Sequence, residues 1–436
     1  MSETFTIATI EQLAKRLREP TWLTELRRSA LAKHAKLPWP HVSDDVWRRT
    51  DVSLLDPLRG FSPSVPSLLQ AIPVSETQLA GLTKPLGDEE LFVRANGVWL
   101  THERPPSGLV VEELSQAAHG RPDPIRQAIE ADGLTDAEQK LSSLNTAFHH
   151  DDLFLQVPAN FTGTRPVRLV HILSASARQA IFPMTVITVG AGSSVTLIDE
   201  YVSVAPDASH EPHLINGRIE LVLGPKASVH YVRLQRWDGR AREFLLQRAI
   251  LAQGATLTMA NLHLGASLSK AHVVTKLTGE NASAKLYGFV FGHDKQHIDQ
   301  HTLQDHQAPH TTSDLQFRAA LQDESRMIYT GLIRIAKQAK QTNAFQANHN
   351  LLLSQGAQAE TIPMLEILAD DVQCKHGASI SPIDDEQAFY LMSRGVPREI
   401  AQRLIVMGFV EPIVQQVPFE PLQERLRHEI ESGLRQ

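Results

Sequence analysis

Gly192-Ser-Ser-Val-Thr-Leu-Ile198 is the first clear copy of a pattern that recurs along the chain. Each copy starts with small turn residues and continues as a short β-rich run. The later copies are Ala227-Ser-Val-His-Tyr-Val232, Ala255-Thr-Leu-Thr-Met259, Ala282-Ser-Ala-Lys-Leu286 and Ala378-Ser-Ile380. The first four are spaced by roughly 27 to 34 residues, close to the unit length of a stacked β-solenoid. A β-sandwich would tolerate the same pattern and is the alternative.

The repeat predicts a mainly β protein organised in three regions. We expect a β-helix (solenoid) core over residues 166–383, a mixed helical N-terminal region over residues 1–165 and a helical C-terminal region over residues 384–436. One coil cannot bury its own apolar face, so coils must stack, and the strands at both ends need covers. The two terminal regions are natural covers.

The terminal regions show helical and strand periodicities. From Ile10 to Lys36, apolar residues recur at helical spacing with an interruption at Pro20, which predicts two amphipathic helices. From Leu91 to Leu100, the alternation predicts a strand that turns at Asn96-Gly97. Three further helices are expected at the C-terminus: Asp384 to Met392, one beginning at Pro397, and one beginning near Pro421.

Composition excludes several classes of protein. The 42 Lys and Arg residues against 49 Asp and Glu give a formal net charge of −7, so nothing indicates general nucleic-acid binding. One cysteine excludes an internal disulfide and fits a reducing compartment. No secretory signal is visible, and no apolar run approaches the roughly 20 residues of a membrane span. We therefore expect a soluble, cytoplasmic protein that binds neither nucleic acid nor membrane. No phosphate loop occurs, so we expect no nucleotide site of its own.

The single cysteine, Cys374, follows a stretch from Leu365 to Ala369 that alternates as a strand with one buried face would. If this strand continued unbroken, Cys374 and His376 would point the same way. A thiol and an imidazole are suitable ligands for iron, copper or zinc, but a closed site usually needs four. Other groups or another chain must therefore complete it. Polar neighbours such as Lys375 favour a thiolate.

A second candidate site lies where seven histidines crowd between His263 and His310. On a strand, His297, Asp299 and His301 would share a face, which resembles a metal constellation. The spacing is weakly specific, and structural hydrogen bonding or a solvated surface is the favoured interpretation.

Several blocks of the chain resemble the SufB/SufD family, the scaffold subunits of the SUF iron–sulfur cluster assembly machine. The blocks are Ala344-Phe-Gln-Ala-Asn-His-Asn-Leu-Leu-Leu-Ser354, Pro363-Met-Leu-Glu-Ile367, Asp370-Asp-Val-Gln-Cys-Lys-His-Gly-Ala378 and Phe389-Tyr-Leu-Met-Ser-Arg-Gly395, with weaker similarity at Trp47-Arg-Arg-Thr50, His297, Asp299, His306, Pro309-His310 and Ser313. Gly377 and the absence of an N-terminal cysteine cluster resemble SufD. The tail Gly408-Phe-Val-Glu-Pro-Ile-Val414 also occurs in SufB-like sequences, so a SufB-like subunit is an alternative.

The resemblance implies a right-handed parallel β-helix and a scaffold that is not itself an enzyme. It would pair with a SufB-like subunit through the β-helix, and a homodimer is conceivable in isolation. Cys374 and His376, with His376 the more important, would be interfacial ligands of a transient iron–sulfur cluster shared with SufB. A reduced flavin is linked to complexes of this family, but no flavin-binding motif is visible. The SufC ATPase would dock on the C-terminal helices, and the residues expected to bind it are Arg394, Gly395, Ile400, Leu404, Ile405 and Phe409. Secondary site candidates are His297, Asp299, His306, His310, Glu366 and Asp370.

The sequence is also compatible with two hypotheses of enzymatic function. A β-solenoid carbohydrate-active enzyme could use paired carboxylates such as Glu366 and Asp370. A zinc or iron enzyme could be built on the cluster around His297. A stoichiometric, tightly held metal on the isolated chain would favour an enzyme over a scaffold.

Overall fold

The computed structural model describes residues 4–44, 46–63, 81–102, 105, 108–131, 134–174, 178–204 and 210–434. Two long sheets face each other. The first sheet runs in the order β20-β18-β16-β14-β12-β10-β8-β5-β4, with β1 and β7 beside it, and the second in the order β21-β19-β17-β15-β13-β11-β9-β6-β2-β3. The strands are β1 (Ser62–Pro63), β2 (Glu90–Ala95), β3 (Val98–His102), β4 (Val110–Glu112), β5 (Asp151–Val157), β6 (Val167–Leu173), β7 (Gln179–Ile181), β8 (Pro183–Val189), β9 (Ser194–Ser203), β10 (His213–Leu223), β11 (Ser228–Arg236), β12 (Ala241–Leu251), β13 (Thr256–His263), β14 (Leu268–Leu277), β15 (Ser283–Gly292), β16 (His297–His306), β17 (Thr312–Leu321), β18 (Arg326–Ile335), β19 (Thr342–Leu352), β20 (Gln358–Ile367) and β21 (Val372–Pro382).

From β8 onward, successive strands alternate between the two sheets, and each pairs in parallel with the strand two further along. One strand from each sheet therefore makes one turn, and about seven turns stack. This confirms the solenoid prediction, whereas the alternative β-sandwich would need antiparallel sheets. The division at residues 165 and 383 stays a prediction.

The first four small-residue repeats mark the beginnings of strands in the second sheet, whereas Ala378-Ser-Ile380 lies inside β21 and does not begin a strand. Val195, Val229, Leu257 and Ala284 lie directly in register, one from each turn. All four are buried in the continuous apolar interior. The repeat was therefore visible in the sequence because each turn places the same kind of residue at the same point of the core.

The N-terminal region closes one end of the solenoid with its strands and covers the outer face of the first sheet with its helices. Its helices are α1 (Ile7–Leu17), α2 (Thr21–Lys36), α3 (Leu114–Gly120), α4 (Pro122–Glu130) and α5 (Asp136–Phe148). This confirms the two helices expected on either side of Pro20. β2 and β3 form the expected hairpin, with positive φ angles of 46° at Asn96 and 82° at Gly97. Since β3 and β4 each pair antiparallel on the outermost strands, they close this end of the stack.

The C-terminal helices are the three that were expected: α6 (Asp385–Ser393), α7 (Arg398–Val414) and α8 (Glu420–Gly433). α7 and α8 pack along the outer face of the second sheet, where Val410, Leu422 and Leu426 belong to one apolar cluster with Phe289. The expectation that the C-terminal region covers the end of the solenoid is therefore wrong, because these helices lie on a face of the stack and not over its last strands. In α6 only Ala388 is buried. None of the described helices is both long and apolar enough to cross a membrane.

Candidate functional site

Cys374 and His376 lie on β21, the last strand of the second sheet. Among the described strands, β21 pairs only with β19, and β20 in the other sheet pairs only with β18. The solenoid therefore ends on two edge strands that have unpaired backbone groups. We call the end formed by β20, β21 and the turn between them the open end.

The register shows where the two candidate ligands point. Cys374 pairs with Ala344, and His376 pairs with Gln346. Ala344 is buried with Ile333, and the Gln346 amide donates to the Gly331 carbonyl of the opposite sheet at 3.1 Å. Neighbours in a parallel register project to the same side, so Cys374 and His376 both face the solenoid interior. The expectation of a shared face is confirmed.

The strand expected from Leu365 through His376 is broken. β20 ends at Ile367, a turn follows, and β21 begins at Val372. Ala369 is buried as expected, but the expected buried face is wrong for Leu365 and Ile367, which are 39% and 41% exposed in the isolated chain. Their side of the strand is uncovered because no further described turn stacks on this end.

The thiol and the imidazole differ in environment. Cys374 is half-buried against the apolar cluster around Ile333 and Ala344, and this burial raises the pKa of its thiol. The expectation that its polar neighbours favour a thiolate is therefore wrong for the isolated chain. His376 is exposed, and Gly377 beside it has open space where a side chain would be. At the open end, the imidazole is the more accessible donor.

The carboxylates near this end are surface groups. Glu366 is partly exposed and pairs with Arg334 at 3.0 Å. Asp370 lies exposed in the turn between β20 and β21. An exposed ion pair of this kind contributes little stability, and Asp370 has no described hydrogen-bond partner that would position it for chemistry.

The residues expected to bind an ATPase lie on α6, α7 and the link between them. Leu404 is 51% exposed, and Ile400, Arg394 and Gly395 are also exposed. Ile405 is half-buried. Phe409 is half-buried too, because it packs on the solenoid under the guanidinium of Arg318.

Three large apolar residues of α6 belong to the block Phe389–Gly395 quoted above but were not among the residues expected to bind the ATPase. Phe389 is 72% exposed and Tyr390 58%, with Met392 also exposed. Together with Ile400 and Leu404 they form what we call the helical patch. The helix was predicted, but its weak packing against the sheet could not be read from periodicity.

His297 and Asp299 hold the N-terminal segment against the solenoid. The Thr50 hydroxyl lies 3.1 Å from Nε2 of His297 and donates to Asp299 at 2.5 Å. Asp299 also accepts from the amine of Lys270 at 2.6 Å. These contacts support the structural interpretation of this pair. They also join the Trp47–Thr50 block to residues far away in the sequence.

His306 and His310 lie apart from that pair. His306 is buried, with Thr311 and Ser313 hydroxyls 2.8 Å from its two ring nitrogens, and burial lowers its pKa to about 4. This is structural hydrogen bonding. His310 is half-exposed at a turn with a φ of 59°.

A fourth histidine of the cluster, His301, does join a group of possible ligands. Within the described ranges, Glu138, His272 and His301 are the one set of at least three such residues whose ligand atoms lie within 4.8 Å of each other. His272 and His301 are direct neighbours on β14 and β16. Their separation of 29 residues is one solenoid turn, so the repeat spacing could have indicated this contact. Glu138 lies on α5, outside the solenoid repeat, so no repeat spacing indicated its contact with the two histidines.

Comparisons with known proteins cover nearly the whole chain. Residues 171–409 match the family described as SUF system FeS cluster assembly, SufBD core domain, and residues 9–169 match the SufBD protein N-terminal region. An iron-sulfur cluster assembly SufBD family protein of Staphylococcus epidermidis is 24% identical, over 98% of this chain and 93% of its own. One from Synechocystis is 27% identical, over 94% of this chain and 90% of its own.

Proposed function

This chain belongs to the SufBD family of iron–sulfur cluster assembly proteins, and on that premise we propose that it is a SufD-like scaffold subunit rather than an enzyme. It would pair with a SufB-like subunit, carry the SufC ATPase and contribute ligands to a transient cluster. The single cysteine and Gly377 favour the SufD-like assignment over the SufB-like one. A cytoplasmic location fits the reducing conditions that cluster assembly requires.

The observation that carries this proposal is the open end of the solenoid. The opposite end is closed by antiparallel strands, whereas no described strand pairs with the outer edges of β20 and β21. Leu365, Leu368 and Ile380 are exposed there. An edge strand with exposed apolar residues favours pairing with another strand. A partner with the same solenoid fold would continue both sheets, so a SufB-like chain suits this end.

The ligands at the open end support a shared cluster. Cys374 and His376 face the end of the interior and are two donors of the four that a cluster usually needs. A docked subunit would bring the remaining thiolates to the same place. Because burial raises the pKa of the Cys374 thiol, we assign the larger role to His376 and a supporting one to Cys374.

The helical patch supports an ATPase partner. Phe389, Tyr390 and Leu404 are more than half exposed, which is unusual for such large apolar side chains on neighbouring helices. The chain has no phosphate loop of its own. We therefore assign this patch, with Arg394 and Gly395 at its edge, to the SufC ATPase.

Co-purification on a tagged SufB-like chain tests the pairing. Ile380→Asp places a charge on the free edge of β21, and we expect it to reduce recovery of the complex at least tenfold. Val42→Asp is the matched control, since Val42 is exposed in the N-terminal region, and it should leave recovery unchanged. Full recovery with Ile380→Asp would contradict pairing through the open end.

A further inference from the structure

We propose that Glu138, His272 and His301 form a binding site for one divalent transition-metal ion between α5 and the outer face of the first sheet. The site is distinct from the open end, since β18 lies between β16 and the last strand of their sheet. It is therefore independent of the cluster ligands Cys374 and His376.

The three side chains are already assembled. Oε1 of Glu138 lies 3.0 Å from Nδ1 of His272, and the rings of His272 and His301 have centroids 5.0 Å apart at 76°. The strand register fixes the two histidines side by side. In many metal sites, a histidine binds the metal through one ring nitrogen, and its other ring nitrogen is hydrogen-bonded to a carboxylate.

One ring nitrogen of each histidine makes no hydrogen bond within the described part of the chain. Nε2 of His272 and Nε2 of His301 are both buried, and neither has a hydrogen-bond partner among the described residues. His272 is almost fully buried. A buried polar atom without a partner is costly, and here two of them belong to neighbouring imidazoles. A metal ion would satisfy both.

The ring separation fits a shared ion. With metal–nitrogen bonds of about 2.0 Å and tetrahedral angles, two imidazoles bound to one ion have centroids about 5 Å apart. Imidazole with carboxylate suits zinc, iron, nickel or copper, while magnesium and calcium prefer oxygen ligands. Each of the three residues offers one ligand atom within 4.8 Å of those of the other two. We assign the unpaired Nε2 atoms of His272 and His301 as the histidine ligands, with Glu138 providing the negative charge and fixing the His272 ring.

The surroundings hold this arrangement in place. Glu138 also accepts from the backbone N–H of Thr135 at 2.7 Å in the capping box of α5. The Trp47 ring lies 5.3 Å from that of His272 and covers one side. The nearby charge of Lys270 is neutralised by Asp299. His301 is the least buried of the three residues, so an ion and its remaining water ligands would enter from its side.

Metal titration of the full chain tests the site. The background is the Cys374→Ser, His376→Ala double variant, so that metal bound at the open end does not contribute and the test is separate from the proposed function. After chelator treatment, we expect one equivalent of Zn²⁺ by calorimetry and visible absorption from Co²⁺ in the same stoichiometry. Mg²⁺ should not bind.

Two further substitutions assign the ligands, and a third is the control. His301→Ala should weaken Zn²⁺ binding at least 100-fold. Glu138→Gln retains a capping-box side chain and should weaken it 10- to 100-fold, the usual range for an orienting carboxylate. His41→Ala, an exposed histidine elsewhere, is the matched control and should bind as the background does.

Two results would overturn the proposal. One is the absence of stoichiometric Zn²⁺ or Co²⁺ binding to the folded background protein. The other is unchanged binding by His301→Ala, whose partly exposed position makes it the variant that best preserves the fold. Circular dichroism and thermal unfolding of each variant establish that the protein tested is folded.

Discussion

His376 and Cys374 share a face of the last strand but not an environment. The imidazole is exposed at the open end, whereas the thiol is half-buried and its pKa is raised. A thiol becomes a good ligand only as the thiolate. Cys374 therefore needs a nearby cation or metal to become a thiolate, whereas the His376 imidazole can bind a metal without such a group.

We predict that His376→Ala lowers the yield of iron–sulfur cluster on the assembled complex at least fivefold. Cys374→Ser should lower it less. Because His376 makes no described contact that stabilises the solenoid, the complex itself should still form. Cluster absorbance and iron content per complex measure the yield, with size-exclusion chromatography as the control for assembly. A normal yield from His376→Ala would remove its proposed role.

His306 makes stability depend on pH. Burial lowers its pKa from 6.5 to about 4, so the unfolded state takes up the proton first as pH falls. The stabilising contribution is present above pH 6.5 and is lost as pH falls toward 4. At pH 5 the loss is about 2 kcal/mol from this residue.

The matched variant is His306→Gln, which can still hydrogen-bond to Thr311 and Ser313 but does not titrate. We predict that it loses less stability than the wild type between pH 7 and pH 5, by about 2 kcal/mol. Denaturant unfolding at both pH values measures the difference. Equal losses in the two proteins would show that His306 is not buried as a neutral group.

Among the elements, α6 and α7 divide their apolar residues between two roles. Val410 and Val414 face the second sheet and are buried, whereas Ile400 and Leu404 point outward. Burial of Val410 and Val414 holds α7 on the solenoid, and Ile400 and Leu404 do not contribute to this contact. The exposed residues are thus available to a partner at little cost to the fold.

We predict that Ile400→Asp with Leu404→Asp reduces ATPase binding at least tenfold while the solenoid stays folded. A charged side chain in an apolar contact is strongly unfavourable. Pull-down with a SufC-like ATPase measures binding, and circular dichroism measures folding. Leu100→Asp, at a 45% exposed apolar position on β3, is the control. Retained binding by the double variant would exclude the helical patch as the docking surface.

For the molecule as a whole, the sequence predicts the stacking of the solenoid turns. It predicts less well which residues of the last turn stay exposed. Val229 and Leu257 repeat at the turn spacing because every turn needs a core residue there. Leu365 carries the same kind of signal but is exposed. Its burial depends on whether another turn follows, and periodicity does not contain that information.

The candidate sites also differ in how far the sequence predicts them. Cys374 and His376 could be predicted to share a face because they are two residues apart on one strand. The contact between His272 and His301 depends on register between turns, and that of Glu138 on how α5 packs. Contacts across such distances in the chain are set by tertiary structure.

Amide hydrogen exchange on mixing with a SufB-like chain tests the central claim that the open end is where a second subunit docks. At a concentration where this chain alone is monomeric, we predict at least tenfold slower exchange in residues 358–367 and 372–382, because the partner completes their hydrogen bonding. Residues 98–102, at the closed end, should not change. Unaltered exchange in residues 372–382 of a complex shown to have formed would contradict the account.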